Sequence, residues 1–315
     1  MSDPILHHYA TSPFSEKLRL ILGYKKFAWR SVIVPSIMPK PDVLPLTGGY
    51  RKTPFLQVGA DIYCDTALIC DVLEHLQPEP SIYPEPSKGL ARTIAQWADG
   101  TLFWAAMAHN FSPKGAADMF ANVPPEAAKA FGDDRRAMSA NMVRLRPGDA
   151  TGAYKSYLRR LSDMLDDGPF LLGEVPTIAD FSCYHPLWFT RKRTPSMSGV
   201  LQLTPAVVDW MNRMAAIGHG TSEKIDAAAA IAVAAASVPR TLLTDSTFQD
   251  EHGIPLGSRV TIGGESFGPE TTEGELVAAT RTHYTLRRTD ERAGTVHVHF
   301  PRIGYVLKLA EVGTP

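Results

Sequence analysis

The chain has little cysteine. Three thiols, Cys64, Cys70 and Cys183, in 315 residues cannot build a disulfide framework, and a reducing cytoplasm is the expected compartment. An excess of either charge is also missing. Lys and Arg total 32 against 33 Asp and Glu, a net charge of -1, which excludes a generally basic nucleic-acid binder. No apolar run approaches the roughly 20 residues of a membrane span. The nearest, Ala227 to Ala236, is short and mostly alanine. Met1-Ser2-Asp3-Pro4 has neither the basic nor the apolar region of a signal peptide. What is there is 44% hydrophobic and 21% charged residues, the composition of a folded chain. The length suits two or three domains.

Hydrophobic period divides the chain. Pro4 to Tyr9 reads as a strand and Pro13 to Tyr24 as a helix, with Ser12 at its cap and Pro13 at its first position. Trp29 to Val34 is a β-branched strand, and Gly59-Ala60-Asp61 marks a hairpin between Pro54–Val58 and Ile62–Cys64. Asp65 opens the next helix. A strand-helix-strand unit needs a parallel pair with a right-handed crossover, so residues 1–80 read as a small α/β domain. Prolines 78, 80, 84 and 86 form a linker. From 88 to 220 the period is helical throughout, with 111–150 holding one helix plus a long loop. Residues 221–238 read as a connecting helix, from alanine content. The segment 239–315 reads as a small β-rich domain, with strands at 258–263, 275–288, 295–300 and 303–309, able to form a barrel or sandwich.

Three local patterns bear on chemistry. Ser12-Pro13-Phe14-Ser15 places two hydroxyls on the first turn of a helix, whose N-terminus offers unpaired N–H groups and partial positive charge. A thiolate there would be stabilised; equally, Ser12 serves simply as the cap. Thr53-Pro54-Phe55 brings a proline into an apolar strand, either as an edge residue or as a cis peptide that turns backbone groups toward a ligand. Asp65-Thr66 caps the following helix or holds the carboxylate and amine of a ligand. The cysteines read as core. His7 and His8 are adjacent on a strand, face opposite sides and make a poor metal pair; no metal site is expected.

Taken in order, Ser-Pro-Phe-Ser, Thr-Pro-Phe-Leu and Asp-Thr-Ala-Leu-Ile, with Thr177-Ile178-Ala179-Asp180 as a helix capping box, resemble the glutathione transferase superfamily of the serine type over residues 4–216. The resemblance implies a thioredoxin-like α/β domain followed by an all-α helical domain, here with an extra small all-β domain at the C-terminus. It implies glutathione as co-substrate, an electrophilic small molecule as its partner, a homodimer, and no role for nucleic acid or membrane. It gives Ser12 the hydroxyl that bonds the glutathione sulfur, with Tyr9 and Ser15 as rivals. Thr53, before Pro54, would pair main chain to main chain with the cysteinyl unit. Asp65 and Thr66 would hold the γ-glutamyl end, and Arg51 or Lys52 the glycine carboxylate. Phe14, with Trp104, Met107 and Phe111, is a candidate apolar wall for the electrophile, or plain core.

The resemblance leaves two alternatives, a glutathione-dependent isomerase and a non-catalytic binding protein on the same scaffold. It does not extend to the tail. There Val296, Val298 and Phe300 alternate with His297 and His299, while Tyr284 and Leu286 alternate with His283, Thr285 and Arg287. One apolar and one solvated face are expected, the alternatives to the solvated face being a His-x-His metal pair or a basic face for an anion or a partner. Since the four motifs precede residue 182, a chain stopped after Ala236 is expected to keep glutathione binding.

Overall fold

The computed structural model describes residues 3–311 apart from 144, 241, 244 and 246. Met1-Ser2 and the last four residues, the outer ends of the first and last expected units, lie outside the described residues. Strand β1 (Ile5–His8), helix α1 (Pro13–Tyr24) and β2 (Ala28–Ile33) form a parallel βαβ unit. After a one-turn helix α2 (Leu44–Thr47), β3 (Phe55–Val58) and β4 (Asp61–Cys64) make the hairpin around Gly59-Ala60, and β3 lies antiparallel to β1. Helix α3 (Thr66–Leu76) completes the thioredoxin-like unit.

The second unit is all helical. Helices α4 (Lys88–Trp97) and α5 (Phe103–Asn110) are joined through a π-helical turn at 98–102. Helices α6 (Pro113–Met119) and α7 (Pro125–Met138) replace the single helix and long loop expected there, each started by a proline in its first turn. Then come α8 (Pro147–Met164), α9 (Ile178–Arg193) and α10 (Pro205–Ala216). Helix α9 is the buried centre, and its capping box forms as the sequence predicts. Asp180 Oδ2 accepts from Thr177 N at 2.8 Å, and Oδ1 accepts from Leu171 N and Trp210 Nε1 at 2.9 Å each.

The chain beyond 220 departs further from the sequence reading. The helix expected over 221–238 begins instead with strand β5 (Thr221–Lys224), which pairs parallel with the edge of β2; an open sheet edge outweighs weak local propensity. Helix α11 (Ala227–Ala235) starts only at Asp226, whose carboxylate accepts from Ala229 N. It also does more than connect, because Ala230, Ile231 and Ala234 are buried. The single strand expected over 275–288 is two, β7 (Thr272–Ala279) and β8 (His283–Asp290). Thr280 makes the turn between them, its hydroxyl accepting from Thr282 N and His283 N.

Strands β6 (Arg259–Gly264), β9 (Gly294–Pro301) and β10 (Tyr305–Leu309) complete the C-terminal β domain. They close neither a barrel nor a sandwich. The tail strands continue the first sheet in the order β10-β6-β7-β8-β9-β4-β3-β1-β2-β5. The joint is a parallel pairing of β9 with β4, Ile62 opposite Val298. One apolar cluster runs across it, from Ile5, Val32, Phe55 and Ile62 to Leu286, Val298 and Phe300. The opposite face is not simply solvated. His283 and His299 are buried there, because β4 presents Asp61 and Tyr63 to the same side. His299 Nε2 donates to Asp61 Oδ1 at 2.9 Å, its Nδ1 accepts from the Thr285 hydroxyl at 2.9 Å, and its ring stacks on Tyr63. Among the described residues no group of three His, Cys, Asp or Glu is placed to hold a metal ion, and no helix is long and apolar enough to cross a membrane.

Three buried histidines make the fold acid-sensitive. Burial holds His7 neutral, lowering its pKa to about 4 against a hydrogen bond that its Nε2 donates to Gln57 Oε1. Burial and then the Arg19 guanidinium lower that of His8 to about 3, and burial and then His299 lower that of His283 to about 4. Unfolded, each binds a proton near pH 6.5. Between that pH and the folded value the unfolded state binds more protons, so stability is full above pH 6.5 and falls as pH drops. Differences of about two and a half to three and a half pH units correspond to about 3 to 5 kcal/mol per histidine at the acid limit. The thermal midpoint should decline steadily from pH 6.5 to 4; a flat midpoint over that range would overturn the assignment.

Candidate functional site

Strand register gathers the expected residues at one end of the first sheet. Phe55, the first residue of β3, lies opposite His7 near the end of β1 and opposite Cys64 at the end of β4. The segment after β1, carrying Ser12, therefore shares that end with Thr53-Pro54 before β3 and Asp65-Thr66 after β4. The Thr53–Pro54 peptide is cis.

Ser12 is buried and caps α1, its Oγ accepting from Ser15 N at 3.2 Å. That bond uses a lone pair and leaves the hydroxyl proton to donate elsewhere. Cap and donor are thus compatible roles. The Ser15 hydroxyl is fully buried and makes no hydrogen bond among the described residues. Tyr9 is half-buried, and its hydroxyl accepts from Arg135 of α7 at 3.3 Å. Phe14 meets the rings of Phe103 and His185 at 4.8 and 4.5 Å. Of the other wall candidates, Met107 is buried in the core, whereas Phe111 is exposed and packs on Phe189. Trp104 is covered by Phe267 of the tail.

The charged residues are heavily engaged. Asp65 Oδ1 accepts from Ala67 N at 2.9 Å, while Oδ2 accepts from the hydroxyl of Tyr305, a tail residue, at 3.1 Å. Thr66 Oγ1 accepts from Lys17 Nζ at 3.2 Å, and Lys17 pairs with Asp99 in the π-helical turn at 2.6 Å. The Thr66 hydroxyl proton is likewise left to donate. Arg51 is clamped between Asp134 of α7 and Glu270 of the tail. Lys52 lies over the rings of Tyr305 and Tyr50 at 4.5 and 5.4 Å, and burial lowers its pKa. The cysteines belong to the core: all three are buried, and burial pushes the Cys70 thiol up to about 12.

Several neighbours escaped the sequence reading. Lys40 Nζ donates to Thr53 Oγ1 at 3.0 Å and to Arg51 O at 2.9 Å. Burial, then the Arg135 and Arg51 guanidinium groups, lower its pKa to about 8. A lone lysine in a proline-rich loop carries no motif. Tyr50 and the tail residues Thr272 and Tyr305 were equally invisible. The Thr272 hydroxyl donates to Thr47 O at 2.9 Å and accepts from Tyr50 N at 3.1 Å, tying the tail to the loop before β3. Gly49 shows how close that approach is, since a Cβ there would fall 2.1 Å from Thr271 O. The Gly48-Gly49 pair is the sequence signal that could have pointed to this joint.

Comparison with known proteins agrees with the architecture. Residues 6–81 match the family model of the glutathione S-transferase N-terminal domain, and residues 125–213 that of the C-terminal domain. A GST-like protein from Pseudomonas syringae of known structure is 40% identical over 98% of this chain and 100% of its own, with a TM-score of 0.82. Glutathione transferase GSTFuA3 from Phanerochaete chrysosporium is 18% identical, with a TM-score of 0.55, and covers 69% of this chain and 98% of its own. The β-etherase LigF from Sphingobium sp. strain SYK-6 is 18% identical, with a TM-score of 0.51, over 68% of this chain and 96% of its own. The Pseudomonas protein thus spans the tail, whereas nearly complete matches to the other two leave about three-tenths of this chain uncovered. No curated protein matches.

Proposed function

The chain belongs to the glutathione S-transferase family, and from that premise we propose that it is an enzyme that activates the glutathione thiolate for attack on an electrophilic small molecule. The observation that carries this reading is the meeting of Ser12, Thr53-Pro54 and Asp65-Thr66 at one sheet end. The side chains suit the parts of the tripeptide. Asp65 would take its amine, the Thr66 hydroxyl its γ-glutamyl carboxylate, and the Ser12 hydroxyl its sulfur. For the glycine carboxylate, Lys40 stands beside Thr53 with no carboxylate bonded to it among the described residues, whereas Arg51 already holds two. The same reading takes the working form as a cytoplasmic homodimer.

Calorimetry tests it. Asp65→Ala and Thr66→Ala should each weaken glutathione binding about ten- to a hundredfold, the worth of a charge-assisted hydrogen bond, while leaving the bound thiol's pKa nearly unchanged. Less than a twofold change in both variants would reject the assignment. One feature favours a second reading, a binding protein without turnover: the tail loop between β6 and β7 bridges both domains, with Phe267 on Trp104, Gly268 N bonded to Met138 O, and Glu270 on Arg51. Retention on glutathione resin with no thiolate absorbance at neutral pH would select that reading.

A further inference from the structure

The tail reaches Asp65 through a phenol. Tyr305 opens β10, far from α3 in sequence, yet is buried with its hydroxyl bonded to Asp65 Oδ2 at 3.1 Å. Its ring packs on Phe300 and lies under the Lys52 ammonium. Its cross-strand partner is Gly264, where a Cβ would stand 3.1 Å from Lys52 Nζ. A larger residue there would crowd the lysine off the ring.

Asp65 needs such support. Its φ is +73° with ψ 136°, a conformation that side-chain-bearing residues rarely adopt and that persists when the surroundings over-determine it. Three contacts do so: Asp65 N donates to the Tyr50 hydroxyl at 3.1 Å, Oδ1 caps Ala67 N, and Oδ2 accepts from Tyr305. A carboxylate offers about four lone-pair sites. Ala67 and Tyr305 use one on each oxygen, which sets the rotation of the carboxylate and leaves lone pairs for an ammonium donor.

We propose that Tyr305 is a positioning residue supplied by the C-terminal β domain, orienting the Asp65 carboxylate to receive the α-amino group of a γ-glutamyl ligand. The inference rests on the glutathione reading above and adds to it that the tail sets selectivity for the amine. The test uses the full chain and two ligands, glutathione and glutaryl-cysteinylglycine, which lacks only the α-amino group. Tyr305→Phe keeps the ring on Phe300 and under Lys52, so the fold is retained, as a thermal melt would verify. Wild type should prefer glutathione over the deaminated analogue by roughly tenfold or more, and Tyr305→Phe should remove most of that preference while changing affinity for the analogue by less than about twofold.

If Tyr305→Phe weakens both ligands in equal proportion, the residue is only structural and the inference fails. It also fails, with the glutathione reading intact, if Asp65→Asn abolishes the preference and Tyr305→Phe keeps it. A wild-type protein that binds both ligands alike, or neither, overturns the reading of Asp65 and the inference together.

Discussion

Ser12→Ala should cost roughly 20- to 30-fold in the rate of glutathione addition at pH 7, with glutathione affinity nearly intact. A free thiol with pKa near 8.5 is only about 3% thiolate at that pH. A shift of two units, about 2.7 kcal/mol of preference for the anion, raises the fraction to about three quarters, and the ratio of the two sets the expected loss. One hydroxyl donor beside a helix N-terminus is of the right size for that shift. The Ser12 hydroxyl is suited to it because its oxygen is already anchored by Ser15 N, so its proton can point outward at little entropic cost. The same substitution removes a helix cap, worth about 1 kcal/mol of stability, and a small drop in melting temperature should accompany the kinetic effect. The decisive reading is the pKa of the bound thiol from its ultraviolet absorbance. Were it unchanged in the variant, the donor would be Tyr9 or Ser15, and Tyr9 would have to act through a hydroxyl that already accepts from Arg135.

What could be read in advance was local. The cap at Ser12, the hairpin at Gly59-Ala60, the Asp65 helix start and the Thr177/Asp180 capping box each depend on contacts within a few residues, and each formed where the sequence placed it. Some local features were missed, the second helix within 111–150 and the turn at Thr280, but the larger failures are long-range. Nothing in Asp61-Ile62-Tyr63 announces that its edge is taken by residues 297–299, because a parallel pairing across more than 230 positions leaves no turn signal. The polar face of β9 read as solvated because Asp61, the partner of His299, is remote in sequence. The candidate site shows the same division: residues inside motifs were named, whereas Lys40, Tyr50, Thr272 and Tyr305 are joined to them only through tertiary packing.

The long-range joint reverses one expectation outright. A chain stopped after Ala236 should not persist as a glutathione-binding protein. An independent β domain could be removed without harm, but this one shares its core with the first unit. Truncation would strip β4 of its neighbour β9 and leave an unpaired edge, an invitation to pairing between chains. It would also uncover Phe55, Ile62 and Leu46, all fully buried in the intact protein. Full exposure of those three costs roughly 5–9 kcal/mol, as much as the whole net stability of a typical domain. Loss of Thr272 and Tyr305 would at the same time free the loop before β3 and release Asp65. The truncated chain should therefore elute as aggregate in size-exclusion chromatography and show no cooperative melt, whereas the full chain runs as a discrete species. A soluble, cooperatively melting truncation with full-length affinity for glutathione would mean that the joint between β4 and β9 adds little, and that the helical unit alone suffices to hold the first domain together.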